Sequence, residues 1–220
     1  MFARAISVGS FCGTAYVLKH ASLRDGAYPW DQVFSSPETV CTALECPDEF
    51  WETVMDSTQT VARAVTSPLV HKFVLHHIHG ETMNVDEYAS MARRIDRWHA
   101  ALRAPTPSLF VCVTYFGVYD KPSPHEPPAE AMRETMTRLV DLLHIWNAAH
   151  ALLWIERVAA TTLHDPLRIE WVSRDCAGLS HVRLVGVPAW DWFPPSATLA
   201  PMRAILGTFS ISIQEHHDVE

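Results

Sequence analysis

The chain has 220 residues, 48% of them hydrophobic, with eight Trp, which is enough to bury a sizeable core as one domain. A formal net charge of −8 and an isoelectric point near 5.9 exclude a generic surface for nucleic acid or anionic lipid, because phosphate is held by Lys and Arg. No apolar run approaches the roughly 20 residues of a membrane span. Five scattered Cys without a C-x-x-C fit neither a disulfide framework nor a zinc ribbon, and with no leader expected before the first strand the setting is expected to be cytoplasmic.

In chain order, Ala5 to Val8 reads as a strand, followed by Gly9 and by a helix from Thr14 to His20. Ser36 and Pro37 signal a helix start, so Pro37 to Leu44 is expected helical, and Pro47 to Phe50 opens another short helix. Val70 to Ile78 is the second expected strand. From Asp86 to Arg103, Tyr88, Met91, Ile95, Trp98 and Leu102 recur at spacings of three and four, the signature of an amphipathic helix. Pro105 and Pro107 end it, and Leu109 to Phe116, apolar nearly throughout, is a strand covered on both faces.

Lys121 to Pro128 holds four Pro and reads as a loop, and Ala129 to Ala149 as a long helix with Met132, Met136, Leu139, Leu143 and Trp146 on one side. Strands follow at Ala151 to Val158, Leu167 to Val172 and His181 to Val187, then a loop at Asp191 to Pro195, a helix at Leu199 to Leu206 and an edge strand at Phe209 to Ile213. The alternation predicts a single α/β domain over 1–213, a Rossmann-like three-layer sandwich with a mainly parallel sheet that includes Val74-Leu75, and a frayed tail over 214–220. In such folds the site lies beyond the carboxyl ends of the strands.

Cys12 stands where the first strand passes Gly9 and Ser10 and turns into a helix. A thiol there meets unsatisfied backbone N–H groups and the positive end of the helix dipole, both of which favour the thiolate. The competing reading is a small hydrophobe packed under the first turn.

Gly9-x-x-Cys12-x-x-Ala15 is followed by Tyr28-Pro29-Trp30-Asp31, by His76 at the end of a strand, by Arg93-Arg94-x-x-Arg97-Trp98, and by Leu109-Phe110-Val111. This order over residues 5 to 115 resembles a bacterial and viral family of unknown function described as papain-like cysteine peptidases. His77 stands where that family has Asp, and the signature around papain's own Cys is absent. Papain itself is an α+β protein with its Cys on a central helix, whereas the alternation here predicts α/β. The resemblance implies a hydrolase of peptide or acyl substrates without a cofactor, in which Cys12 attacks and His76 accepts its proton. Asp31 first, or Asp191 second, would hold the imidazole tautomer. Gly13 and Thr14 N–H groups would stabilise the oxyanion, with Ser10, His77, Trp30, Trp190 and Asp191 around the substrate.

Other readings stay open. Ser10 follows Gly9 as in an esterase-like hydrolase and competes as nucleophile. His77 and His79 share a face of an extended segment and can pair on zinc, although no third ligand is evident and no metal is expected. The chain can also be an inactive α/β binding or structural protein, with loop aromatics lining a groove. No G-x-G-x-x-G or Walker sequence supports nucleotide binding. Arg93, Arg94, Arg97 and Arg103 read as a solvated helix face, and Glu156-Arg157 as either a buried ion pair or a substrate clamp.

Overall fold

The structure is a computed structural model that describes residues 1–9, 13–56, 74–75, 85–116, 129–160, 165–188 and 196–211. The chain opens with β1 (Arg4–Ser7) and α1 (Gly13–His20), followed by a 3-10 turn at Pro29–Gln32 and the short β2 (Val33–Phe34). Then come α2 (Pro37–Glu45), α3 (Pro47–Met55), β3 (Val74–Leu75), α4 (Val85–Arg103) and β4 (Ser108–Phe116). The second half holds α5 (Ala129–Trp146), β5 (Ala151–Ala159), β6 (Arg168–Cys176), β7 (Leu179–Val187) and α6 (Leu199–Leu206). This is a mixed α/β fold.

Local chemistry explains the helix ends. The Ser36 hydroxyl accepts the Thr39 N–H at 3.3 Å and caps α2, while Pro37 occupies a first-turn position whose N–H would have no helical partner. Cys46 closes α2 and opens α3, whose own start is marked by Pro47. The α5 helix stops at Trp146, short of the expected Ala149, because Asn147 turns the chain. Its amide donates to Ala104 O at 2.9 Å, and its carbonyl accepts the Ala149 N–H at 2.9 Å. Asn147 thereby satisfies a carbonyl beyond the end of α4 and a donor in its own turn.

The main sheet has the order β1-β4-β5-β7-β6. The first four strands are mutually parallel, and β6 runs antiparallel at the edge as one arm of a hairpin with β7. Each of β4, β5 and β7 lies one place further along the sheet from β1, so the carboxyl end of β1 is at an outer strand of this five-stranded sheet rather than at a central crevice. Val74-Leu75 departs from expectation. Instead of joining the parallel sheet it pairs antiparallel with β2, Val33 opposite Leu75 and Phe34 opposite Val74, as a separate two-stranded sheet. An apolar run reports that a strand is covered, not which strand it pairs with, and the place beside β1 is taken by the nine-residue β4. The remainder of the expected strand Val70 to Ile78 lies outside the described residues. Of the expected edge strand at Phe209, a single parallel bridge joins Phe2 to Ile211.

Two apolar clusters take alternate strand residues, as a two-residue side-chain period requires. Ile6, Phe110, Leu152 and Trp154 pack with α2, α4 and α5. Ala5, Leu109, Val111, Leu153, Ile155 and Val182 pack with Val17 and Leu18 of α1 and Met202, Ile205 and Leu206 of α6. Trp30 is fully buried against Phe50, Trp51 and Trp98, with centroids 6.1, 5.4 and 5.7 Å away. Such aromatic packing adds about 1 kcal/mol per pair to area burial, so Trp30 contributes to the core. No helix among the described residues is long and apolar enough to cross a membrane.

Candidate active site

The strand-to-helix junction is described on both sides of the expected nucleophile. Gly9 follows β1 with φ +55°, a left-handed conformation that glycine adopts without steric cost. A Cβ there would lie 3.2 Å from Ser35 O, so the junction packs closely on the segment after β2. Thr14 Oγ1 donates to Gly9 O at 3.2 Å, tying the first turn of α1 back to the strand end. Gly13, the residue after Cys12, is the first helical residue, and both Gly13 and Thr14 are buried. Ser10 and Cys12 lie outside the described residues.

Asp31 is brought to the same place. It is 3% exposed and accepts the hydroxyl of Ser7, the last residue of β1, on Oδ1. Its other oxygen receives Arg24 Nη2 at 2.6 Å, Arg24 Nε at 3.1 Å and the Tyr28 N–H at 3.0 Å. A carboxylate has about four lone-pair sites, so any further donor, an imidazole included, has Oδ1 left to it. Tyr28 closes the turn on its other side by donating its hydroxyl to Asp25 at 3.1 Å, and Asp25 sits 3.8 Å from Arg4. Burial first, and the Asp25 carboxylate second, push the Tyr28 phenol upward, so it acts as a donor.

The third block of the resemblance arrives from α4. Arg97 Nη1 donates to Ala27 O, and a Cβ on Gly26 would lie 3.0 Å from Arg97 Cδ, so the guanidinium stem lies against this loop. Arg94, one turn earlier, is half-buried. Burial disfavours its charge most, Asp31 favours it, and Arg24, Arg97 and Arg93 repel it. Arg93 and Arg103 are exposed as expected. The expectation of a solvated face is corrected for Arg94, which is half-buried, and for Arg97, which lies against a loop distant in sequence and invisible to a helical-wheel argument. Finally, Leu75, the residue before His76, pairs with Val33, two residues after Asp31. His76 and His77 themselves lie outside the described residues, as do Trp190 and Asp191.

A second polar cluster sits on the sheet. Glu156 Oε2 accepts from His181 Nε2 at 2.8 Å and from Arg183 Nε at 2.7 Å, and it is 4% exposed. His181 stacks flat on Trp154 at 3.7 Å, and Trp154 Nε1 donates to Thr114 Oγ1 at 2.8 Å. Burial alone would raise the Glu156 carboxyl, but the hydrogen bonds from His181 and Arg183 outweigh it and hold the group below its ordinary value. Glu156 and Arg157, expected as a pair or a clamp, are consecutive strand residues and so project to opposite faces. Arg157 is fully buried on the other side.

Among the other thiols, Cys41 is buried and pushed up to about 12, chiefly by burial, which leaves it protonated and inert. Cys112 is also buried and Cys46 exposed. Among the described residues no three His, Cys, Asp or Glu side chains gather as a metal site; His71, His77 and His79 lie outside them. Sequence reasoning missed Ser7 and Arg24. A lone hydroxyl ending an apolar strand was the available signal for Ser7, while nothing local marks Arg24 as the partner of Asp31. Comparison with protein-family models, with curated proteins and with solved structures finds no match for this chain.

Proposed function

We propose that the chain is a cysteine-dependent hydrolase of peptide or acyl substrates, built on a Rossmann-like three-layer α/β frame, with Cys12 as nucleophile, His76 as base and Asp31 as the orienting acid. One observation carries this reading. Thr14, two residues after Cys12, is tied to Gly9 just after β1, while contacts between segments distant in sequence bring the residue before His76 and Asp31 toward the same strand end: Leu75 to Val33, and Ser7 to Asp31. The two core clusters on alternate strand residues support the three layers. The odd, scattered cysteines support a reducing, cytoplasmic setting.

In this reading Cys12 Sγ bonds to the substrate carbonyl carbon as its proton passes to His76, and the oxyanion meets the Gly13 and Thr14 N–H groups. The tetrahedral species collapses as His76 protonates the leaving group. Water, deprotonated by the same imidazole, then cleaves the thioester and regenerates the thiol.

A vinyl-sulfone probe tests it. The wild type is expected to label at Cys12, and Cys12→Ala and His76→Ala to abolish labelling with the unfolding midpoint retained. Labelling spread evenly over Cys46 and Cys12, or surviving in His76→Ala, overturns the proposal. A second reading, a non-catalytic binding module, draws on the donors already held by Asp31, and it is the conclusion if no thiol labels selectively.

A further inference from the structure

The core cluster that packs on α1 and α6 is open on one side. Its outermost members Ala21, Leu23, Phe209 and Ile211 are only partly buried, and with Ala204 and Leu206 they line a hollow of about 440 Å³ between the carboxyl ends of the two helices. That volume lies in the range of small-molecule sites, roughly 300–1,000 Å³. Among the described residues the single charged side chain lining it is Arg203. We propose that this hollow binds a fatty carboxylate, its acyl chain along the apolar wall and its head group on Arg203. The site does not depend on which residue is the nucleophile.

The backbone presets both walls. The Leu23 N–H donates to Leu18 O at 2.9 Å and the Ser22 N–H to Lys19 O at 3.1 Å, with Ser22 left-handed at φ +55°. This helix-ending motif folds Leu23 back onto the last turn of α1. At the end of α6 the carbonyls accept the N–H groups of Gly207, Thr208 and Phe209 at 2.9–3.1 Å and the Thr208 hydroxyl at 2.7 Å, so that end is capped without the Arg203 side chain. Arg203 is exposed, and among the described residues it meets neither a carboxylate nor another acceptor. Its guanidinium therefore keeps an edge that suits a carboxylate in the bidentate manner. A small inorganic anion gains nothing from the apolar wall, an uncharged chain gains nothing from Arg203, and a cationic amphiphile is repelled by it. An anion on an acyl stem uses both.

Octanoate tests the site by titration calorimetry and methyl NMR on the full chain. Saturable binding is expected to shift the Leu23 and Ile211 methyl signals, with affinity rising about fourfold per methylene from hexanoate to octanoate. Octyltrimethylammonium, which carries the same chain with the opposite charge, is expected to bind about fivefold more weakly or not at all, and Arg203→Gln to weaken octanoate about fivefold, as loss of an exposed ion pair does. Ala204→Trp, which fills the hollow from an exposed position on α6, is expected to abolish binding. Chain length and head-group charge are read in the wild type, so the test stands even if a variant does not fold. No saturation in the millimolar range, equal affinity for octanoate and octyltrimethylammonium, or methyl shifts confined to other residues overturns the proposal.

Discussion

Ser7 at the end of β1 donates its hydroxyl to the buried Asp31, 24 residues further along the chain, so the strand end and the Tyr28-to-Asp31 turn form one unit. Asp31→Ala leaves Arg24, Ser7 and the Tyr28 N–H without their shared acceptor. Removing one member of a largely buried pair costs about 3 kcal/mol, whereas Ser7→Ala removes one hydrogen bond to a charged group, about 1.5 kcal/mol. Urea denaturation is the measurement. A loss below about 0.5 kcal/mol for Asp31→Ala, the range of ordinary surface changes, would show that the turn is held by other contacts.

Glu156 links stability to acid. Its carboxyl is held below the ordinary 4.5 because the His181 and Arg183 hydrogen bonds outweigh burial. A group depressed in the fold contributes fully above its unfolded value and loses that contribution as pH falls through the folded value. Stability is therefore expected to drop below pH 4.5, and Glu156→Gln to flatten that limb while lowering stability near neutrality. Parallel acid limbs in the two proteins would rule this out.

His150 acts in a different window. It is 1% exposed; Nδ1 accepts the Ser108 N–H at 3.0 Å, and Nε2 faces Leu102 O at 3.1 Å. An N–H can only donate and a carbonyl only accept, so the neutral Nε2–H tautomer is required. Burial is the main cause holding its pKa below the ordinary 6.5. The unfolded chain takes up the proton first on acidification, so stability falls as pH drops below 6.5, by at most about 1.4 kcal/mol per pH unit. In His150→Gln that slope is expected to shrink, with about 1–3 kcal/mol lost at pH 8 for the disturbed acceptor. An unchanged slope between pH 6.5 and 5 in the variant, followed by urea midpoint, would refute it.

Gly9→Ala tests the junction itself. Alanine at φ +55° costs about 1–2 kcal/mol, and its methyl group would press on Ser35 O at 3.2 Å. The expected result is a lower thermal midpoint together with slower alkylation of Cys12. A variant as stable as the wild type would show that the backbone relaxes there freely.

Much of the secondary structure was legible because its causes are local. Ser36 and Pro37 start a helix, the spacing from Met91 to Leu102 makes α4 amphipathic, and the apolar run after Pro107 makes a buried strand. Cys12 was nameable as a candidate from its place at a strand-to-helix turn, and His76 and Asp31 through the family resemblance. What only the tertiary structure decided is partnership. The sequence carried no sign that β3 would pair with β2 rather than join the main sheet, since strand pairing depends on which edge is free when the chain returns. Nor did it show that Glu156 would take His181 and Arg183 in place of the adjacent Arg157, because neighbours on a strand face apart and residues on the next strand face together. Arg97 read as part of a solvated face, yet it lies against the loop at Gly26 and Ala27. Charge and apolar periodicity act over a few residues, while these contacts span tens of residues and are settled by how helices and strands pack.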